Sequence, residues 1–375
     1  MTEKCEKGLH FETDYAIIQS RNFIRMQIKG GVLVKTITSV ELAKLAGVSQ
    51  STVSRCLNDS PLVSSKTKAR VKKIAEQYAF QFNTNARGLR TNRTGVVGYI
   101  FSEDFSGFTN HYIQSDLYYR IRMRLLEYGM DLVPVFDDLV EGGASSIEKS
   151  VGSRRYDALI FNRQSVSGRV RTLLEETHIP YIFIYDTDES SEEPYLIAPR
   201  HTKIGYLAGK SFCEAGYRNF VELTGPSRRI DVVNKHAGFS EALAAYGLAV
   251  PEDHVLCANY QLETAEQVTL EHIDLFSPGT AVFAQNDMVA LGTLEALKRS
   301  GLRVPEDVAL IGVDNVVMGC WFHPQLTTVA IDYDQIIDLT AKWVLQVTTD
   351  QMPESYRRFL DETLILRDTF VPVKK

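Results

Sequence analysis

A chain of 375 residues exceeds one small domain, and two or three are expected. Its 44% hydrophobic and 23% charged residues suit an ordinary soluble globular protein, and no apolar run approaches the ~20 residues of a membrane span. The net charge of −6 is uneven: residues 35–93 carry eleven Lys and Arg against three acids, a net of +8; residues 1–34 carry +1, which leaves −15 on residues 94–375. A basic module on an acidic body binds a polyanion through one end, because the body repels phosphate.

Residues 1–34 show no strong period and no secretory pattern. They are either a flexible arm or a misassigned start, since Lys29-Gly30-Gly31 could be encoded by a purine-rich ribosome-binding sequence. From Thr38 the pattern sharpens. Thr38 with Glu41 is a capping box, and Leu42, Ala43 and Ala46 supply one apolar helix face. Gly47 breaks that helix with a residue suited to positive φ, and Val48 fills the corner. Ser49 caps a second helix, on which Val53 and Leu57 fall at i, i+4. Gln50, Ser51, Thr52, Ser54, Arg55 and Asn58 are left as its polar outer face. Two short helices about a Gly-centred turn, the second polar outward, are a DNA-binding helix-turn-helix; a surface helical hairpin is the plainer alternative.

Ser64 caps a third helix, with Val71, Ile74, Ala75 and Tyr78 at helical spacing to close a three-helix core. Lys66, Lys68, Arg70, Lys72 and Lys73 crowd its start and outer face, where phosphates would lie. Residues 82–94 are polar and basic, with Ala86 and Leu89 at i, i+3; so short a linker cannot hold a helix alone. Gly95 then opens a buried strand.

Beyond it, helix-like stretches at 112–128, 145–154 and 170–178 alternate with strand-like ones at 131–136, 158–161 and 181–185. A second set has helices at 203–215, 232–246, 264–275 and 288–300, and strands at 219–223, 255–257, 281–284 and 308–313. Such alternation makes parallel sheets with helices on both faces, here two sheets, with the acidic, turn-rich stretch 186–199 as the crossing. Ligands of these folds bind outside the carboxyl ends of the strands, most naturally between the lobes. The scattered Cys5, Cys56, Cys213, Cys257 and Cys320 form no C-x-x-C pair and read as free thiols of a reducing cytoplasm.

Two motifs are specific. One runs from Leu42-Ala43 through Ala46-Gly47-Val48-Ser49-Gln50-Ser51-Thr52-Val53-Ser54-Arg55 to Leu57-Asn58. The other runs from Asn286-Asp287-Met288-Val289-Ala290-Leu291-Gly292 through Gly301-Leu302-Arg303-Val304-Pro305-Glu306-Asp307 to Gly312-Val313-Asp314. Ala237-Gly238-Phe239 and Pro324-Gln325-Leu326-Thr327-Thr328 support them in the same order. With these motifs, roughly residues 35–373 resemble the lactose/galactose repressor family of bacterial transcriptional regulators.

The resemblance implies that Gln50 and Ser51 read major-groove base edges and that Arg55 takes a base or a phosphate. Thr38, Thr52, Ser54, Asn58, Ser64 and Thr67 would mostly position the backbone. It further implies that the linker becomes a hinge helix on operator DNA, with Leu89 wedged into the minor groove and Asn83, Ala86 and Arg87 beside it. Three departures bear on the head and linker. Phe82 stands where a proline is usual, Gly88 lowers intrinsic helicity, and Cys56 replaces an aliphatic residue as core filler.

For the small molecule, the resemblance puts Asn286 and Asp314 at strand ends facing the cleft, with Tyr260 near a position whose ring packs on the effector. Lys235 takes the place of an effector-gripping arginine, a point charge for a fork. Pro199-Arg200 stands where Asp-Asn is common, and Phe108, in an atypical loop, offers a ring for a sugar face. Each has a plainer structural reading as well: Asn286 as a helix cap, Tyr260 as core.

The fold class expected is an all-α helix-turn-helix head plus α/β, with two doubly wound parallel-sheet lobes of periplasmic-binding-protein type. The domains are 1–34 as an extension, 35–82 as the head, 83–94 as the hinge and 95–375 as the two-lobed body. Lobe 1 takes about 95–197 and 331–356, and lobe 2 about 198–330 and 357–375. The function expected is a cytoplasmic, sequence-specific repressor, not an enzyme, that binds a palindromic double-stranded operator as a homodimer or tetramer. It would need no cofactor, metal or membrane, and would answer to a sugar or sugar derivative. The alternative is a global regulator of the same fold with a protein or nucleobase corepressor. An enzyme or transport protein on the same lobes is disfavoured by the lack of G-x-G-x-x-G, P-loop, G-x-S-x-G and H-E-x-x-H motifs.

Overall fold

In the computed structural model the described residues are 26–29, 32–35, 37–57, 60–78, 80, 93–102, 105, 107, 111–136, 145–153, 155–163, 165–185 and 189–373. The expectations for Asn58, Asn83, Ala86, Arg87, Leu89 and Phe108 lie outside them. The chain divides into two units, Met1–Arg87 and Gly88–Lys375.

In the first unit, β1 (Met26–Lys29) pairs antiparallel with β2 (Val32–Lys35), within a stretch where no period was expected. Strands of four residues are too short for an alternation to register. The helices follow local chemistry. α1 (Ser39–Ala46) starts at Thr38, whose Oγ1 accepts from the Glu41 amide at 3.3 Å while Glu41 Oε2 accepts from the Thr38 amide at 2.7 Å. Gly47 ends it at φ 61°. The Ser49 hydroxyl accepts from the Thr52 amide to cap α2 (Gln50–Leu57), and Ser64 does the same with Thr67 for α3 (Ser65–Gln77). Leu42, Ala43, Ala46, Val53, Cys56, Val71 and Ala75 form the closed core, so Cys56 fills space as its sequence context suggested.

The second unit holds two six-stranded sheets. The first has the order β13-β7-β6-β5-β3-β4 and is parallel throughout: β3 (Val96–Ile100), β4 (Asp131–Val135), β5 (Ala158–Phe161), β6 (Tyr181–Ile184), β7 (Tyr195–Ala198) and β13 (Tyr356–Phe359). Between them run α4 (Tyr112–Leu126), α5 (Ser146–Gly152) and α6 (Gly168–Thr177). The second sheet has the order β14-β12-β11-β10-β8-β9: β8 (Asn219–Thr224), β9 (Val255–Cys257), β10 (Thr280–Ala284), β11 (Val308–Asp314), β12 (Thr327–Ala330) and β14 (Thr363–Ile365), with β14 antiparallel to β12. Its helices are α7 (His201–Glu214), α8 (Ile230–Ala244), α9 (Leu262–Glu271) and α10 (Asp287–Arg299); α11 (Tyr333–Val347) returns to the first lobe. The doubly wound two-lobed class is therefore the one expected.

Two boundaries shift. The 186–199 stretch contains β7, so the chain crosses only after Ala198. A four-residue apolar strand wedged between Glu193-Pro194 and Pro199 is masked by its polar flanks. Likewise β13 pairs with β7 through Phe359, so the last crossing falls between Phe359 and Thr363 rather than at 356.

α7 and α8 pack at backbone distance because of glycine. A Cβ on Gly205 would lie 1.8 Å from the Lys235 carbonyl oxygen, and one on Gly238 would lie 1.8 Å from that of Thr202. This approach sets the start of α7 against the first two turns of α8, where the candidate site lies.

Candidate functional site

In the head, α2 presents Gln50, Ser51 and Arg55 as exposed side chains, with Thr52 and Ser54 half-buried beside them. The Gln50 amide nitrogen donates to Ser39 Oγ at 2.8 Å, so α1 steadies the side chain that opens α2. Ser49 Oγ lies 2.8 Å from the hydroxyls of both Ser51 and Thr52, and Ser64 Oγ lies 2.9 Å from Thr67 Oγ1. Exposed Thr38 and Ser64 mark the amino ends of α1 and α3.

In the second unit, a cavity of about 840 Å³, counted to its open mouth, lies beyond the carboxyl ends of the strands. The first lobe lines it with His111, Tyr112 and Gln114 at the start of α4 and with Tyr185 after β6. The second lobe supplies Asn286 after β10, Asp314 at the end of β11, Tyr260 from the loop after β9, and His201, Arg229, Asp231 and Lys235 from α7 and α8. The structure thus brings together Asn286, Asp314, Tyr260 and Lys235. It leaves Arg200 out: its guanidinium bonds the Leu360 carbonyl at 2.7 Å and its amide bonds Glu362 at 2.6 Å, at the crossing between lobes.

Asn286 plays both parts considered for it. Its Oδ1 caps α10 through the Val289 amide at 2.8 Å, while the residue also lines the cavity. Lys235 is buried, and its Nζ donates to Asp231 Oδ2 at 3.1 Å, Tyr260 Oη at 3.0 Å and the Gln285 carbonyl at 3.3 Å. Asp231 gathers this wall together: Oδ1 accepts from Arg229 Nε at 2.9 Å, and Oδ2 also accepts from Tyr260 Oη at 2.5 Å. Burial works against its charge, yet Lys235 and Arg229 hold its carboxyl well below the usual carboxylate range.

Asp314 stands apart from that wall. Burial pushes its carboxyl up to about 6, against the pull of Lys235 and of the Tyr333 hydroxyl, which donates to Oδ1 at 2.7 Å. Its φ of 106° is a conformation that side chains rarely adopt, and Tyr185, Asn259 and Tyr260, which also line the cavity, have φ of 55°, 53° and 60°. Backbone strain of this kind concentrates at functional sites. Asp287, fully buried at the start of α10, supports the Asp314 loop by accepting from the Val316 amide at 2.8 Å and the Thr328 hydroxyl at 2.7 Å. A Cβ on Gly312 would lie 2.3 Å from Asp287 Oδ1.

His201, Arg229, Asp231 and Tyr185 were not singled out by sequence reasoning. The Asp231–Lys235 spacing of four within a helix was the available signal. Among the described residues, no group of three or more His, Cys, Asp or Glu is placed to hold a metal, and no helix is long and apolar enough to cross a membrane.

Comparison with known proteins agrees with this arrangement. Residues 38–83 match the family model for bacterial regulatory proteins of the lacI family, and residues 195–370 match a periplasmic binding protein-like domain. The chain is 26% identical over 334 residues to the probable HTH-type transcriptional repressor ExuR of Bacillus subtilis (strain 168), covering 89% of this chain and 98% of that protein. Among solved structures it is similar to the lac repressor dimer bound to operator and the anti-inducer ONPF, with a TM-score of 0.77 and 23% identity over 89% of this chain and 99% of that one. It is also similar to a complex of the transcriptional regulator CelR with cellobiose, with a TM-score of 0.65 and 24% identity over 89% of this chain and 100% of that one. A lacI-type head and a periplasmic-binding-protein-like body thus lie in one polypeptide that is similar to a transcriptional repressor over nearly its whole length.

Proposed function

We propose that this transcriptional regulator is a cytoplasmic repressor that binds a palindromic operator as a homodimer and answers to a small, carbohydrate-class effector in the interlobe cavity. The cavity carries the reading. Asp314 and Asn286 offer a carboxylate and an amide to ligand hydroxyls, while Lys235, Arg229 and Tyr260 line the same cavity from the second lobe. The sugar-bound CelR structure supports the ligand class. On DNA, Gln50 and Ser51 read bases, Arg55 reads a base or a phosphate, and Thr38, Thr52, Ser54, Asn58, Ser64 and Thr67 fix the register on the backbone. Residues 83–94 act as the hinge, with Leu89 as its wedge and Asn83, Ala86 and Arg87 beside it. Phe108, outside the described residues, is kept in this reading as a ring for a sugar face.

Dimerisation is supported by α4, where Tyr119, Met123 and Leu126 stand exposed at helical spacing on one side. Effector binding between the lobes changes their closure, and that change sets the spacing of the paired hinges.

The test is operator binding by fluorescence anisotropy, with the operator located by footprinting and a panel of sugars, sugar acids and nucleobases added. At least one carbohydrate should shift operator affinity by about 10-fold or more, a typical coupling energy. A nucleobase that shifts it instead, with no carbohydrate doing so, would replace this effector class. A panel that neither binds nor shifts affinity would overturn the cavity as the control site.

A further inference from the structure

Glu189 follows β6 in the first lobe, and Thr202 lies in the first turn of α7 in the second. The Glu189 carboxylate accepts from the Thr202 amide at 3.2 Å and from the Thr202 hydroxyl. Each partner is fixed to its own lobe. The turn after Glu189 is held by Arg357 of β13, whose guanidinium donates to the Ser191 and Glu193 carbonyls at 2.6 Å each, and by an ion pair between Arg171 of α6 and Glu193. Thr202 belongs to the α7 backbone that lies against Gly238 of α8. The first amides of a helix have no partner within it, and Arg200, the residue before α7, supplies no side-chain cap. A carboxylate satisfies such an amide and meets the positive end of the helix dipole. α7 is therefore capped from the other lobe.

We infer that Glu189 is a latch across the lobes, a positioning residue whose bond to Thr202 holds them in the arrangement that shapes the effector cavity. This rests on lobe closure as the step that links effector to operator. The crossing after Ala198 joins the lobes through a few backbone torsions, and a bond outside that crossing removes part of their freedom. His201, beside Thr202, lines the cavity from the second lobe, while His111 and Gln114 line it from the first, so the latch sets how these walls stand to one another. Parting the lobes uncaps α7. One typical cap corresponds to about a 5-fold change in the ratio of joined to parted lobes. A bias of that size sets the resting state, yet an effector of ordinary coupling strength overrides it.

The experiment is NMR titration of the Asp314 carboxyl in the full chain without effector, with thermal unfolding in parallel. Burial holds that carboxyl at about 6, and Tyr333 of the first lobe donates to it, so parting the lobes exposes it and moves its midpoint toward 3.8. Glu189→Ala should lower the midpoint, its apparent acid constant rising by up to about the same 5-fold. Glu189→Gln keeps an acceptor for Thr202 and should stay near wild type. Ser167→Ala removes the cap of α6, which lies within one lobe; it should lower the thermal midpoint and leave Asp314 unmoved. An unmoved Asp314 in Glu189→Ala would reduce Glu189 to a helix cap and overturn the inference, and so would an equal movement in Ser167→Ala. If Glu189→Ala fails to fold, Thr202→Val decides: it removes the hydroxyl bond alone and should move Asp314 the same way by less. Operator affinity of the same variants separates the two readings. Asp314 moving with no change in operator affinity would leave the latch standing and overturn lobe closure as the controlling step.

Discussion

Tyr333 donates its hydroxyl to Asp314 Oδ1 at 2.7 Å, and this bond joins the lobe that carries α11 to the lobe that holds β11. A buried carboxylate therefore sits at the junction of the lobes, in a strained backbone conformation and with a cross-lobe bond. An effector that takes up Asp314 acts on the group that also ties the lobes together. Removing the hydroxyl in Tyr333→Phe should make ionisation of Asp314 harder still, moving its titration above about 6. NMR titration of the labelled carboxyl checks this, and an unchanged or lower midpoint would count against the bond.

Asp314 should cost stability at neutral pH. Its carboxyl titrates at about 6 in the fold against an ordinary 3.8, so the folded state holds the proton longer. Between pH 4 and pH 6 the unfolded chain binds fewer protons at this position, and stability falls as pH rises through that window. The shift corresponds to about 2–3 kcal/mol, an order-of-magnitude figure. Asp314→Asn keeps the shape and accepts from Tyr333, so urea unfolding at pH 7 should show a gain of that order and a flatter profile from pH 4 to pH 6. The same variant should lose effector response. A variant less stable than wild type at pH 7 would show that the charge is better accommodated than its burial implies.

Asp231 should behave in the opposite sense. Its carboxyl is held well below the ordinary range, so its contribution is present above the unfolded value of 3.8 and is lost as pH falls below that value. Asp231→Ala leaves buried Lys235 and half-buried Arg229 without this counter-charge, a change that costs about 3–5 kcal/mol. Chemical unfolding at pH 7 measures the loss. A loss under about 1 kcal/mol would mean that water or Tyr260 replaces the carboxylate.

The contrast between these two acids bears on what sequence alone could reveal. The head was legible because its signals are local: Thr38 with Glu41, Gly47, Ser49 and Ser64 each act within a few residues. Asn286 and Asp314 were legible because they sit inside motifs. His201 and Arg229 were not, since α7 and α8 are brought together by packing that rests on Gly205 and Gly238 rather than on any chain-local pattern. The expectation nearest to His201 fell one position away, on Pro199-Arg200, and Arg200 turns to the crossing segment instead. β7 escaped because four apolar residues between polar flanks carry no period. The strain at Tyr185, Tyr260 and Asp314 could not be read, because positive φ at a non-glycine residue is imposed by its surroundings.

Gly238→Ala tests that packing directly. The added methyl would lie 1.8 Å from the Thr202 carbonyl oxygen, within α7 backbone that has no rotamer to yield. Separating α7 from α8 should cost about 3 kcal/mol or more, the upper range for overpacking. It should also abolish effector binding, because His201 and Lys235 no longer face one another. Gly168→Ala, at the first position of α6 with open space around the new methyl, serves as the control and should remain within about 0.5–1 kcal/mol of wild type, on the stabilising side. Thermal unfolding of both variants decides the matter, and equal midpoints would refute the tight packing.

On DNA, base reading and phosphate contact should separate cleanly between α2 and α3. Gln50 is exposed at the first position of α2 and is steadied by Ser39, so Gln50→Ala removes an oriented amide from the groove-facing end of the helix. The loss should be about 1–3 kcal/mol on the operator and near zero on random DNA, with altered preference at one or two base pairs in a selection experiment. Lys66 is exposed at the start of α3, where it meets the phosphate backbone in the proposed complex. Lys66→Ala should weaken operator and random DNA alike and reduce the slope of log affinity against log salt by about 1. Leu89→Ala, in the hinge, belongs with Gln50 in this scheme, because a wedge between base steps exists only in the ordered complex. If Gln50→Ala instead weakens both DNAs equally, α2 contacts phosphate rather than bases, and the readers must be sought elsewhere on the head.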